Sequence, residues 1–214
     1  MISCCSVQPQ KLKVIVCVVV LSILFALIIS GCGMLGNTPI VDSANVELKE
    51  IREPDILFVP TPQEVVEKML ELAQVKESDL IYDLGCGDGR IVVTAAEKYG
   101  CRGVGYDIDP ERIIDSLNNV KKNNVGHLVR IEQKDVFTLD LSDASVITLY
   151  LLPSLNVKLI PQLKKLKPGT RIVSHDFDMR GVKPDKVITI EDDGLYGNHT
   201  IYLWTAPLNI TSAE

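Results

Sequence analysis

The stretch Ile81–Arg90, IYDLGCGDGR, places glycine at alternate positions, Gly85, Gly87 and Gly89, directly after a short strand-like run. Glycine weakens regular structure and is kept where the backbone must turn sharply or let another group come close. The run RIVVTAAEKYG that follows has a helical apolar pattern and ends on Gly100, a residue suited to stopping a helix. Strand, glycine turn and helix in that order commit the chain to an α/β architecture.

The neighbouring segments extend this unit. VPTPQEVVEKMLELAQV predicts a helix, with Thr61 as its N-cap, Pro62 in the first helical position and Glu64 completing a capping box. Strands are expected at Leu80–Leu84, Gly103–Asp107, Leu128–Gln133, DASVITLYLLP, Arg171–Ser174, Lys186–Glu191 and Thr200–Thr205. PERIIDSLNNVKKNN and NVKLIPQLKKL supply further helices, with Pro161 a kink or boundary in the latter. The predicted fold is doubly wound and Rossmann-like, a seven-stranded, mostly parallel sheet. No helix separates the last two strands, so one antiparallel strand is expected near the edge.

Charge and cysteine usage narrow the function. Lys11 and Lys13 are the only charged residues before Gly33, which leaves 20 of the 22 basic residues and all 28 acidic ones for the rest, a net of −8. That balance argues against a nucleic-acid partner, which needs a basic face. Of six cysteines only Cys86 and Cys101 lie in the body, and no Cys/His cluster has zinc spacing, so no metal is expected.

Residues 1–32 read as a leader. Two lysines precede the uncharged run Val14–Ile29, and the end, Ile29-Ser30-Gly31-Cys32, resembles the lipobox of bacterial lipoproteins. A lipoprotein signal and an uncleaved N-terminal anchor both fit, and either holds the chain at a membrane. Residues 33–57 have linker composition, with part of 46–57 packing on the domain, and 58–208 form the domain itself.

In an open α/β sheet ligands bind beyond the carboxyl ends of the strands. Gly85 and Gly87 would let backbone N–H groups approach a ligand there. Asp107 ends the second strand 24 residues after Asp83, the offset of an acid that reads a ribose. Asp135 follows the third strand, where an adenine amino group could donate to it. A dinucleotide fingerprint would need its third glycine where Arg90 stands, and Asp83 and Asp88 would repel a pyrophosphate. S-adenosylmethionine carries no phosphate but an ammonium and a sulfonium, which favour nearby carboxylates.

These motifs resemble those of class I S-adenosylmethionine-dependent methyltransferases: DLGCGDGR the first, GYDID the second, KDVF the third, and LKPGT the turn before the fifth strand. The order and spacing hold over residues 59–205. More narrowly, VPTP, DLGCGDGRIV, GYDIDP, LYLLP and VSHDFDM are together similar to a bacterial and archaeal group. That group is related to the mitochondrial protein-lysine methyltransferases of the adenine nucleotide carrier and of the c-ring protein of ATP synthase. Relatives commonly carry glutamate where Asp107 stands and tryptophan where Val182 stands.

The resemblance implies that Asp83, Gly85, Cys86, Gly87, Asp107, Ile108, Asp135 and Val136 bind the cofactor, with Asp83 on the methionine ammonium. Tyr150 and Pro153 close the fourth strand, where the methyl acceptor sits in this fold, and His175 with Asp176 ends the fifth. Thr61 and Pro62 either lie over the cofactor or only cap their helix. Methyltransferases of amide or adenine nitrogen usually grip the acceptor with Asn or Asp before Pro-Pro. YLLP lacks that residue, which favours an amine, most simply a lysine of a protein substrate. A membrane lipid or quinone as acceptor, and a non-catalytic tethered domain, are the alternatives.

Overall fold

A computed structural model describes Leu48, residues 51–55, 57–191 and 197–211. The leader, with Val14–Ile29 and Cys32, lies outside the described residues. Among the described residues no helix is long and apolar enough to cross a membrane.

Seven strands form one sheet in the order β3-β2-β1-β4-β5-β7-β6. They are β1 Leu80–Leu84, β2 Arg102–Asp107, β3 Val129–Gln133, β4 Val146–Leu149, β5 Arg171–His175, β6 Lys186–Ile190 and β7 His199–Thr205. Strands β1 to β5 pair in parallel, while β7 pairs antiparallel with both β5 and β6. The hairpin without a connecting helix therefore inserts a single reversed strand next to the edge, as the sequence predicts. Inner strands β4 and β5 are buried almost throughout, and the edge strands β3 and β6 are not. That gradient matches continuous apolar runs inside and mixed ones outside.

Four α-helices are described: α1 Gln63–Leu72, α2 Arg90–Tyr99, α3 Pro110–Lys122 and α4 Pro153–Leu163, together with a short 3₁₀ turn Val136–Thr138. One core layer joins Val65, Val66, Met69 and Leu70 of α1 to Val92, Val93 and Ala96 of α2 and to Ile81 and Val146 of the sheet. The other layer joins Leu159 and Leu163 of α4 to Tyr82, Leu149, Ile172 and Trp204. The indole N–H of Trp204 donates to Val182 O at 3.1 Å, so Val182 serves as an acceptor through its backbone.

Two local expectations change. Helix α1 begins at Gln63, its cap position is Pro62, and no side chain caps it. Thr61 is not the N-cap because its hydroxyl is hydrogen-bonded to His175 Nδ1 at 3.2 Å, a long-range partner that competes with the local one. Pro161 sits in the last turn of α4 rather than ending it. Arg52 bonds to Asp135, and Ile210 bridges Val182.

Candidate active site

The glycine turn takes its shape from two constraints. Gly85, Gly87 and Gly89 have φ of 78°, 56° and 74°, the left-handed region that side chains rarely enter. The N–H groups of Gly85 and Cys86 both donate to Tyr106 O, at 2.8 and 2.9 Å, which ties the turn to β2. A Cβ on Gly85 would lie 2.9 Å from Leu151 Cδ2, and one on Gly87 would lie 2.2 Å from Phe58 Cε2. Cys86 itself packs inward, where a Cβ on Gly105 would come within 2.9 Å of its sulfur. Burial holds the Cys86 thiol well above its usual range, so it stays neutral.

Above the turn lies a cavity of ≈ 240 Å³ at the carboxyl ends of the parallel strands. Asp83, Gly85, Cys86, Asp107, Ile108, Asp135 and Val136 line it, and Gly87 borders it through Phe58. Tyr150, Leu151, Leu152, Leu155 and Phe177 line the region beyond β4.

Asp83 is only 2% exposed. Its Oδ1 accepts the Thr148 hydroxyl proton at 2.6 Å, while its Oδ2 is buried without a partner. Burial pushes the carboxyl up to about 7 against the Thr148 hydrogen bond, and Asp107 and Asp88 add to the rise. An orphaned carboxylate oxygen costs free energy unless a cationic donor meets it. The Asp107 carboxylate is also raised, by burial, although Oδ1 accepts from Asp109 N at 3.0 Å and Oδ2 from Gly87 N at 2.8 Å. These bonds, with a further backbone hydrogen bond from Ile108, fix the carboxylate's orientation at the cavity.

Asp135 lines the cavity and also caps the turn that follows it. Its Oδ1 caps the 3₁₀ turn by accepting from Phe137 N at 3.0 Å, and its Oδ2 accepts from Arg52 Nε at 2.8 Å. The Arg52 hydrogen bond pulls the Asp135 carboxyl below its usual value. Arg52, Pro54, Asp55 and residues 57–60 line the cavity, with Phe58 against Gly87 and under the Arg112 guanidinium, 4.8 Å from the ring centre. This stretch has no period or motif, and its only sequence signal is the aromatic and basic residues next to VPTP. Arg90 pairs with Asp88 at 2.6 Å and donates from Nη1 to Thr61 O at 2.7 Å, which braces the entry to α1.

The three residues expected near the methyl acceptor separate. Tyr150 lines the cavity, and burial, then Asp176, raise its hydroxyl. Pro153 does not line it: this residue opens α4, where its fixed φ suits a first helical position. His175 does not line it either, being fully buried with its ring 4.0 Å from that of Tyr150. Burial drives the imidazole pKa down to about 4, with Asp176 opposing.

The cavity suits a sulfonium nucleoside: an unpaired buried carboxylate oxygen for an ammonium and an oriented Asp107 for ribose hydroxyls. Comparison with known proteins agrees. The model of the ANTKMT methyltransferase domain matches residues 83–186. A protein-lysine N-methyltransferase of Saccharolobus islandicus is 48% identical over 153 residues, which are 71% of this chain and 94% of that protein. The mouse adenine nucleotide translocase lysine N-methyltransferase is 29% identical over 61% of this chain and 57% of its own length. A crystal structure described as an RNA methyltransferase from Salinibacter ruber, with S-adenosyl-L-homocysteine, is 51% identical. It covers 70% of this chain and 94% of that one at a TM-score of 0.64. The chain belongs to the family of these methyltransferases and is a class I S-adenosylmethionine-dependent enzyme.

Proposed function

We propose that the enzyme methylates the side-chain amine of a lysine in a protein substrate. One observation carries this reading: beyond β4 the cavity wall is Tyr150, Leu151, Leu152, Leu155 and Phe177, with neither a carboxylate nor an amide to grip an acceptor. An apolar aromatic wall accommodates the methylene stem of a lysine and disfavours its charged form, lowering the pKa toward the neutral amine the reaction needs. The identity to the Saccharolobus lysine methyltransferase supports the same acceptor.

The chain's residues act by binding and positioning. Asp83 Oδ2 would hold the methionine ammonium, Asp107 the ribose, and the Gly85–Gly87 turn would admit the cofactor to the backbone. Ile108 and Val136 would flank its base. Bound there, S-adenosylmethionine supplies a methyl group that an amine lone pair displaces from sulfur. Tyr150, held by His175 and Phe177, would aim the amine, and alignment of this kind contributes up to about 7–11 kcal/mol. Pro153 and His175 act through Tyr150 and α4 rather than on the acceptor.

A second reading, an RNA acceptor, has the description of the Salinibacter enzyme in its favour. The excess of acidic residues opposes it, since phosphate binding needs a cationic face. The leader suggests that the acceptor is met at a membrane. Incubating the full chain and methyl-labelled cofactor with separate protein, RNA and lipid fractions of a membrane extract decides between them. The expected result is label in protein, recovered as methyl-lysine after hydrolysis. Label in RNA or lipid alone would overturn the reading.

A further inference from the structure

Beneath Tyr150, outside the cofactor cavity, three donor atoms converge from two strands. His175 Nε2 ends β5, His199 Nδ1 begins β7, and Asp176 Oδ2 follows His175. The separations are 2.9 Å between the nitrogens, 3.1 Å from Asp176 to His175 and 3.3 Å from Asp176 to His199. All three lie within 4.8 Å of one another.

Hydrogen bonds satisfy this triangle poorly. If His175 Nδ1–H donates to Thr61, His175 Nε2 is bare, and the one proton on His199 Nδ1 faces two acceptors, His175 Nε2 and Asp176 Oδ2. If the Thr61 hydroxyl donates to His175 Nδ1 instead, His175 Nε2–H is either the single shared proton or crowds against His199 Nδ1–H at 2.9 Å. In each arrangement His199 Nε2 stays buried without a partner. The backbone is also held unusually. Asp176 has φ of 56°, and Phe177 N donates to His175 O at 2.7 Å, a tight three-residue turn of the strained hand. Asp176 N and Oδ1 lock that turn onto Thr200 at 2.6 and 2.8 Å. Strain spent on aiming one carboxylate oxygen at two imidazole nitrogens suggests something in their midst.

We propose that His175, His199 and Asp176 form a binding site for a divalent transition-metal cation of the zinc class. A cation about 2.0–2.2 Å from each donor would meet all three lone pairs together. Two imidazoles and one carboxylate suit zinc, iron or nickel and disfavour magnesium or calcium. Thr61 Oγ1, bonded to the outer nitrogen of His175, is placed to fix the ring's orientation and tautomer. The partly exposed Asp176 side chain gives an entry route. Occupied, the site would clamp β5 to β7 under the Tyr150 ring, whichever acceptor the enzyme methylates.

The test is titration of the chelator-treated full chain with Zn²⁺ by calorimetry and with Co²⁺ by visible absorption. One Zn²⁺ should bind per chain and raise the melting temperature, and Co²⁺ should give ligand-field bands without thiolate charge transfer. His199→Ala should lose the site, Asp176→Asn should weaken it, and Thr61→Val should weaken it about tenfold. The exposed His127→Ala should leave it intact. Should His199→Ala fail to fold by circular dichroism, Asp176→Asn decides, since asparagine tolerates the left-handed conformation. No Zn²⁺ binding to the folded wild type, equal binding to Asp176→Asn, or a thiolate band would each overturn the assignment.

Discussion

Replacing Asp83 by Asn should move stability and cofactor affinity in opposite directions. In the folded chain without cofactor, burial raises the Asp83 carboxyl from the ordinary 3.8 to about 7. The native state therefore binds more protons than the unfolded one between those values, and wild-type stability falls as pH rises through that window. At about 1.4 kcal/mol per pH unit the full penalty, reached above pH 7, is about 4 kcal/mol. Asparagine keeps the acceptor for the Thr148 hydroxyl and never ionises, but its amide N–H₂ stays unpaired, at a cost of about 1–3 kcal/mol. The variant should then be roughly 1–3 kcal/mol more stable than wild type at pH 8. At pH 5 only about 1.5 kcal/mol of the penalty has developed, so the advantage should vanish. Losing a charged hydrogen bond of about 1.5–3 kcal/mol to the methionine ammonium should weaken S-adenosylmethionine binding at least about tenfold. Urea denaturation at the two pH values and calorimetric titration with the cofactor measure all three quantities. If Asp83→Asn is less stable than wild type at pH 8 and binds the cofactor unchanged, the carboxylate only braces the loop and holds no ammonium.

Two further substitutions probe the loop and the opposite end of the sheet. Gly87→Ala forces a side chain into φ of 56° and 2.2 Å from Phe58, so it should cost more than the about 1–2 kcal/mol of the backbone alone and weaken cofactor binding. In the Phe58→Ala background the excess should disappear, and a denaturation double-mutant cycle that comes out additive to within about 0.5 kcal/mol would show that Phe58 does not cover the turn. Asp79, buried ahead of β1, pairs with Arg171 and accepts from Ser145 Oγ at 2.8 Å and Lys76 N at 2.7 Å. Asp79→Ala should cost about 3 kcal/mol, the low end for a broken buried pair because Arg171 keeps the Ala73 and Ser145 carbonyls. Cofactor affinity, measured by calorimetry, should be unchanged, since the pair lies at the amino ends of the strands.

The parts of this site that could be read in advance are those whose cause is local. The alternate glycines announce a turn that needs positive φ, and Asp107, 24 residues after Asp83, marks the end of the neighbouring strand, because a parallel βαβ unit has a nearly fixed length. What stayed hidden depends on contacts across the fold. Thr61-Pro62-Gln63-Glu64 has every local mark of a helix cap, yet its hydroxyl is taken by His175, 114 positions away. Tyr150 and His175 end adjacent parallel strands, β4 and β5, so ring packing between them follows from pairing order, which no spacing rule contains. His175 and His199 likewise are 24 positions apart and meet because β7 runs back antiparallel beside β5, with His175 facing Ile201 in the ladder. Arg52 and Phe58 are the extreme case, since they form no pattern in the sequence and take their places against Asp135, Gly87 and Arg112. A site assembled at the carboxyl edge of a doubly wound sheet is thus legible strand by strand in its cofactor half. The wall beyond β4, formed by Tyr150, Leu151, Leu152, Leu155 and Phe177, brings together residues from separate segments that no spacing rule links.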